Sequence, residues 1–233
     1  MRKTFSTSTP MRYRAIATDY DGTLATDGVV EPATLDALQR YREAGGKLLI
    51  VTGRLLDSLQ QVFPQANSFD GVIAENGAVF YHPASDTLQP LAPPPPAAFV
   101  ESLVAQGIGP IHQGHVIVST WEPHGAAVQR TITDMGLACQ IIFNRQVVVM
   151  VLPQGVTKAT GLQAALDQFG LSAQDVAGVG DAENDLHLLQ HCGLGVAVEN
   201  ALPSLKAIAQ RVTTQAQGAG VAELADWLIH DRV

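Results

Sequence analysis

The stretch from Tyr13 to Leu24, YRAIATDYDGTL, limits the fold of this chain more than any other. Tyr13 to Ala17 is an apolar run that reads as a buried strand. It leads directly into Asp19 and Asp21, two carboxylates two residues apart, and then a glycine turn at Gly22. A lone carboxylate at a strand end is commonly a solvated cap. Two beside a buried strand each need a partner, because an unpaired charge taken out of water is costly. A divalent cation and a phosphate at the strand end meet both needs. Hard Mg²⁺ favours carboxylate and carbonyl oxygens, and the amides after Asp19 can form an anion-binding nest.

The same layout recurs along the chain. Lys47 to Thr52 is an apolar strand ending in Thr52-Gly53-Arg54, Gly71 to Glu75 ends in Asn76-Gly77, and Val176 to Val179 ends in Gly180-Asp181. Helices are predicted between them, over Pro32 to Ala44, Leu55 to Phe63, Thr157 to Phe169 and Asn184 to Gln190. Further short strands and helices run to Ile229. Short apolar strands alternating with helices predict an α/β fold with a parallel sheet covered on both faces.

The texture changes in the middle. Ala78 to Leu91 reads as a hairpin, and Pro93 to Pro96 is a stiff run unable to join a central strand. Beyond it, helices over Ala97 to Gln106 and Pro123 to Met135 alternate with strands over Val116 to Trp121, Ala138 to Phe143 and Gln146 to Leu152. Asn144-Arg145 is a short hairpin signal. This α+β pattern is read as an inserted second domain at 84–154, within a core formed by 11–83 and 155–233. Residues 1–10 are read as a disordered tail.

Composition narrows the partners. The chain has 233 residues, 46% of them hydrophobic, with a net charge of −8. That suits one large core with an insertion and disfavours nucleic acid or a membrane surface as partner. No apolar run reaches the length needed to span a bilayer. Cys139 and Cys192 lack metal-ligand spacing and read as free thiols in a reducing cytosol, giving a cytoplasmic expectation.

Four segments fall at strand ends or helix starts, where open α/β sheets bind ligands. They are Asp19-Tyr-Asp21-Gly-Thr, Thr52-Gly53-Arg54, Lys158, and Gly180-Asp181-Ala-Glu183-Asn184-Asp185. In this order, with an insertion between the second and third, they resemble the haloacid dehalogenase (HAD) superfamily phosphatases of the Cof-like branch. The resemblance covers nearly the whole chain from Arg12 onward. It implies a Rossmann-like core with a small inserted α+β cap, and a Mg²⁺ cofactor.

The resemblance also assigns roles. Asp19 is the implied nucleophile and a metal ligand. Asp21 is the implied general acid and base, with its carbonyl on the metal. Asp181 is the implied second carboxylate ligand. Asp185 either binds metal through water or orients Lys158. Thr52, Gly53 and Lys158 are implied phosphate binders. Asn184 either hydrogen-bonds within its loop or touches the phosphoryl group. Without the resemblance, Thr52 reads as a helix cap and Lys158 as a surface residue.

Arg54 either assists substrate binding or packs on the surface. In the cap, His112, His115, Trp121, Glu122, His124 and Arg145 are candidate polar groups. Arg145, at the hairpin tip, is the one singled out to contact a substrate carboxylate or second phosphate. The implied activity is Mg²⁺-dependent hydrolysis of a small phosphorylated metabolite, a sugar phosphate or phosphoglycolate-like monoester. Two alternatives stay open: a phosphotransferase or mutase using the same aspartyl-phosphate, and a non-catalytic phosphate sensor. Two linkers, near Pro93 to Pro96 and Pro153 to Val156, are expected to let the cap close over the site.

Overall fold

The computed structural model describes residues 11–231. The tail expected at 1–10 lies outside them. In chain order the elements are β1 (Ala15–Thr18), α1 (Pro32–Glu43), β2 (Lys47–Val51), α2 (Leu56–Val62), β3 (Gly71–Ala74), β4 (Val79–His82) and β5 (Thr87–Pro90). Then follow α3 (Ala97–Ala105), β6 (His112–Gln113), β7 (Val118–Trp121), α4 (Gly125–Asp134), β8 (Cys139–Asn144) and β9 (Val148–Pro153). The chain ends with α5 (Lys158–Phe169), β10 (Val176–Gly180), α6 (Leu186–His191), β11 (Leu194–Ala197), α7 (Pro203–Lys206), β12 (Arg211–Val212) and α8 (Gln217–His230).

The large sheet has the order β12-β11-β10-β1-β2-β3-β4-β5. Its strands from β12 to β3 are parallel, and β4 and β5 add an antiparallel edge. Both faces are apolar because successive side chains alternate. Ile16, Ile50 and Val72 enter one core cluster, while Ala15, Ala17, Leu49 and Ile73 enter the other. β1 lies at the centre, and the chain steps to β2 on one side and β10 on the other. The crevice at the carboxyl ends of β1 and β10 is therefore a topological switch point, where such sheets take their ligands.

A second sheet, β6-β7-β9-β8, is antiparallel. One face packs Val118, Val149 and Val151 against Phe99 and Leu103 of α3 and Val128 and Ile132 of α4. We call this unit, β6 to β9 with α3 and α4, the cap. β5, by contrast, pairs with β4 in the large sheet. The boundary at residue 84 is corrected accordingly, since residues 87–90 belong to the core sheet. β5 is polar and largely exposed, as an edge strand paired on one side can be, and it tolerates Pro90 for the same reason. That left it without the buried pattern that marks the other core strands.

Candidate active site

The carboxyl end of β1 places Asp19 in the crevice, with its backbone N–H bonded to Val179 O at 2.9 Å. Gly22 turns the chain at φ +80°. A Cβ there would lie 2.7 Å from Asp181 Oδ2, so only glycine lets this loop pass so close to the β10 loop. Thr23 Oγ1 donates to Asp181 Oδ1 at 3.1 Å.

Lys158 opens α5, and its ammonium is fully buried. It donates to Asp19 Oδ1 at 2.5 Å and to Asp185 Oδ1 at 2.6 Å. Asp185 Oδ2 accepts from the backbone N–H groups of Asp181 and Ala182 at 2.9 and 3.1 Å. Asp185 therefore shapes its own loop and orients Lys158. The start of α5 is held by Gly77, at φ +102°, whose hypothetical Cβ would sit 1.9 Å from Thr157 O.

Asp19, Asp181 and Asp185 each present a carboxylate oxygen, all within 4.8 Å of one another. Burial pushes Asp19 well above the usual carboxylate range, against the pull of Lys158. Burial and the neighbouring Asp185 also raise Asp181, against the pull of Arg145. Burial works against the Lys158 charge, but Asp185 and Asp19 together hold its ammonium above the ordinary lysine range. The cluster sets three carboxyl groups around one buried cation. Hard oxygens converging in this way fit a divalent ion such as Mg²⁺.

Asp21 is not one of the three clustered carboxylates. Its two carboxylate oxygens accept from Arg54 Nε and Nη2, each at 2.7 Å, and the Arg54 guanidinium lies 5.5 Å from the Tyr20 ring centre. Thr52 Oγ1 accepts from the Arg54 N–H at 3.1 Å, leaving its hydroxyl proton available to an incoming oxygen. Gly53 lies beside Met150 and Asn184. Asn184 Nδ2 donates to Asn76 Oδ1 at 3.2 Å, and both amides are buried. Asn184 Oδ1 and Asn76 Nδ2 are left without partners among the described residues.

The inner face of the cap sheet covers this crevice. Ser119, Met150 and Ile142 share one row across it, and Trp121, Val148 and Asn144 the next. Beneath lies a cavity of about 420 Å³ lined by Asp19, Asp21, Arg54, Ser58, His112 and Trp121, among others. A neighbouring cavity of about 620 Å³ is lined by Asn184, Glu183, His187, Gln140 and Asn76, among others.

Of the predicted residues, Asp19, Asp21, Thr52, Gly53, Lys158, Asp181, Asn184 and Asp185 converge on the crevice. Arg145 reaches it by a different route from the expected one. It sits at the β8–β9 turn with φ 47°, its backbone N–H donates to Glu183 Oε2 at 2.9 Å, and its guanidinium pairs with Asp181. It does not line the 420 Å³ cavity. The sequence reading missed Asn76, Thr23 and the Arg54–Asp21 pair. For Asn76 the hint was the polar ENG run between two apolar strands, and Thr23 stood unremarked within the Asp19-Tyr-Asp21-Gly-Thr segment.

The family model for haloacid dehalogenase-like hydrolases matches residues 16–95 and 118–224. Among curated relatives, a phosphoglycolate phosphatase of Methanothermobacter thermautotrophicus is 31% identical over 90% of this chain and 96% of its own. A 5-amino-6-(5-phospho-D-ribitylamino)uracil phosphatase of Bacillus subtilis is 26% identical over 89% of this chain and 94% of its own. Among solved structures, a HAD/COF-like hydrolase from Plasmodium vivax superposes with a TM-score of 0.80 at 20% identity, covering 94% of this chain and 96% of that one. The order of the motifs, the crevice they build and these matches agree: the chain belongs to the haloacid dehalogenase-like hydrolases and is a phosphatase.

Proposed function

We propose that this phosphatase hydrolyses a small phosphate monoester with Mg²⁺, through an aspartyl-phosphate on Asp19. The observation that carries the reading is the buried Lys158 ammonium bridging Asp19 and Asp185. It holds one oxygen of Asp19 and leaves the other free to attack. Asp19, Asp181 and the Asp21 carbonyl would hold the ion, with Asp185 behind them. Bound there, Mg²⁺ would neutralise phosphoryl charge beside the nucleophile.

The free Asp19 oxygen attacks phosphorus and the ester P–O bond breaks. Asp21 gives its proton to the leaving oxygen. The Asp21 carboxylate then takes a proton from water, whose oxygen attacks phosphorus. The P–O bond to Asp19 breaks, phosphate leaves and the carboxylate is restored. Thr52, the Gly53 amide and Lys158 hold the phosphoryl oxygens throughout, in a crevice shielded from water by the cap.

The substrate is read as a sugar phosphate or a phosphoglycolate-like acid. The two relatives named above, a phosphoglycolate phosphatase and a ribitylaminouracil-phosphate phosphatase, support that range, and a cavity of about 420 Å³ suits a small leaving group. No described helix is long and apolar enough to cross a membrane. Two free cysteines suit a cytoplasmic enzyme. The test is phosphate release from a panel of small monoesters, with and without Mg²⁺ and with Asp19→Asn as control. Mg²⁺-dependent turnover that vanishes in Asp19→Asn is expected. Turnover that survives the substitution, or that ignores chelation of metal, would overturn the reading.

A further inference from the structure

The most completely engaged side chain outside the catalytic set is Glu75. It follows β3 on the core, is fully buried, and adopts φ 52°, a left-handed conformation uncommon for a residue with a Cβ. Its backbone N–H donates to Arg54 O at 2.9 Å, so it is tied to the Thr52-Gly53-Arg54 loop. Its carboxylate reaches into the cap. Oε1 accepts the His115 N–H at 2.8 Å, and Oε2 accepts those of Val116 and Ile117 at 2.8 and 2.9 Å. His115 Nδ1 lies 3.2 Å from Oε1.

Those amides belong to the turn between β6 and β7, closed by Gly114 N–H to Ile117 O at 2.9 Å. Three successive N–H groups aimed at one anion make a nest, and here the core supplies the anion. A Cβ on Gly114 would lie 2.4 Å from Glu75 Oε1, so the turn is shaped around the carboxylate. Val116 and Ile117 are buried within the main core cluster. The strands on either side carry His112, Ser119 and Trp121, which line the 420 Å³ cavity.

The opposite end of the cap meets the core differently. There the Arg145 side chain, about half exposed, rests on Asp181. One end of the cap is thus anchored by a buried carboxylate with three backbone donors, and the other by the half-exposed Arg145 side chain and the one bond from its N–H to Glu183 Oε2.

We infer that Glu75 is a positioning residue: it pins the β6–β7 turn to the core, so that the cap pivots about this turn and His112, Ser119 and Trp121 keep a fixed distance from the phosphoryl site. Closure then moves the β8–β9 lip, while the β7 side of the cavity stays in place. The inference rests on the reading of that cavity as the leaving-group site.

The experiment uses the full chain as wild type, Glu75→Gln and Gly114→Ala. Glu75→Gln sets an amide NH₂ against backbone donors, and Gly114→Ala disturbs the same contact from the cap side. Amide hydrogen exchange at 115–117 is followed together with steady-state hydrolysis of acetyl phosphate, whose leaving group is too small to reach the cap strands, and of 4-nitrophenyl phosphate, which reaches them. Exchange at 115–117 is expected to rise at least about tenfold in both variants, with β2 and β3 unchanged. KM for 4-nitrophenyl phosphate is expected to rise several-fold with kcat nearly constant, while acetyl phosphate kinetics hold. Unchanged exchange at 115–117 would overturn the anchor. Equal losses of kcat on both esters would overturn the positioning role. If the wild type hydrolyses neither ester, the phosphatase reading fails separately, and the exchange data alone decide whether Glu75 is the anchor.

Discussion

Replacing Lys158 with Met asks how much one buried ammonium contributes to holding two carboxyl groups side by side. Lys158 is fully buried and bonds Asp19 at 2.5 Å and Asp185 at 2.6 Å. Asp185 keeps two backbone donors without it, whereas the Asp19 side chain has no other hydrogen bond among the described residues. Breaking a buried ion pair from one side costs about 3–5 kcal/mol. The metal-free variant is expected to lose that much at pH 8, with Tm falling by roughly 2–4 °C per kcal/mol for a chain of this size.

The loss should shrink in acid. Asp19 already lies above the carboxylate range because of burial, and Lys158 is the group that pulls it down. Without Lys158 it rises further. Between the unfolded carboxylate value, about 3.9, and the raised folded value, the folded state holds a proton that the unfolded state lacks. Stability therefore falls with rising pH across that window, by up to about 1.4 kcal/mol per pH unit. The window extends higher in the variant, so the gap from wild type widens as pH rises. Lys158 itself is charged in both states from pH 5 to 8 and adds no slope there. Urea denaturation in EDTA at pH 5, 6.5 and 8 measures the gap. A gap below about 1 kcal/mol at pH 8, or one that stays constant from pH 5 to 8, would refute the reasoning.

Two further outcomes follow from the same geometry. Asp21→Asn should slow the first step, leaving-group release in a pre-steady-state burst, by about 10²–10⁴-fold on an alkyl phosphate, and much less on 4-nitrophenyl phosphate, whose leaving group needs no proton; equal slowing of that step on the two would remove Asp21 as the acid. Arg145→Gln should tighten Mg²⁺ binding in calorimetry, because the guanidinium and the ion both claim Asp181. The guanidinium is about half exposed, though Asp181 is buried, so solvent screens the pair and the gain is about 1 kcal/mol, roughly fivefold. Unchanged or weaker binding would show that the two do not compete.

The chemistry of the crevice was legible in the chain because it is local. Asp19, Thr52 and Asp181 each follow an apolar strand directly, so strand direction alone carries them to the same edge of the sheet. Gly22 marks the turn that lets the β1 loop approach the β10 loop. Lys158 needed its place in the motif order, since a lysine at a helix start carries no sign that it will be buried.

What tertiary structure decided were pairings between distant segments. Asp21 finds Arg54 33 residues away, and Glu75 finds the amides of 115–117 some 40 residues on. Neither Arg54 nor Glu75 differs in sequence from a solvated charge. Arg145 was visible as a hairpin-tip cation, but its destination depends on how the cap sits on the core. The hairpin over 78–91 was legible, but the boundary at 84 gave its second strand, β5, to the cap, because an edge strand paired on one side lacks the apolar pattern of the core. A strand end dictates where its own next residues go, whereas the partner of a charge is set by which other segment the packed core brings within about 3 Å.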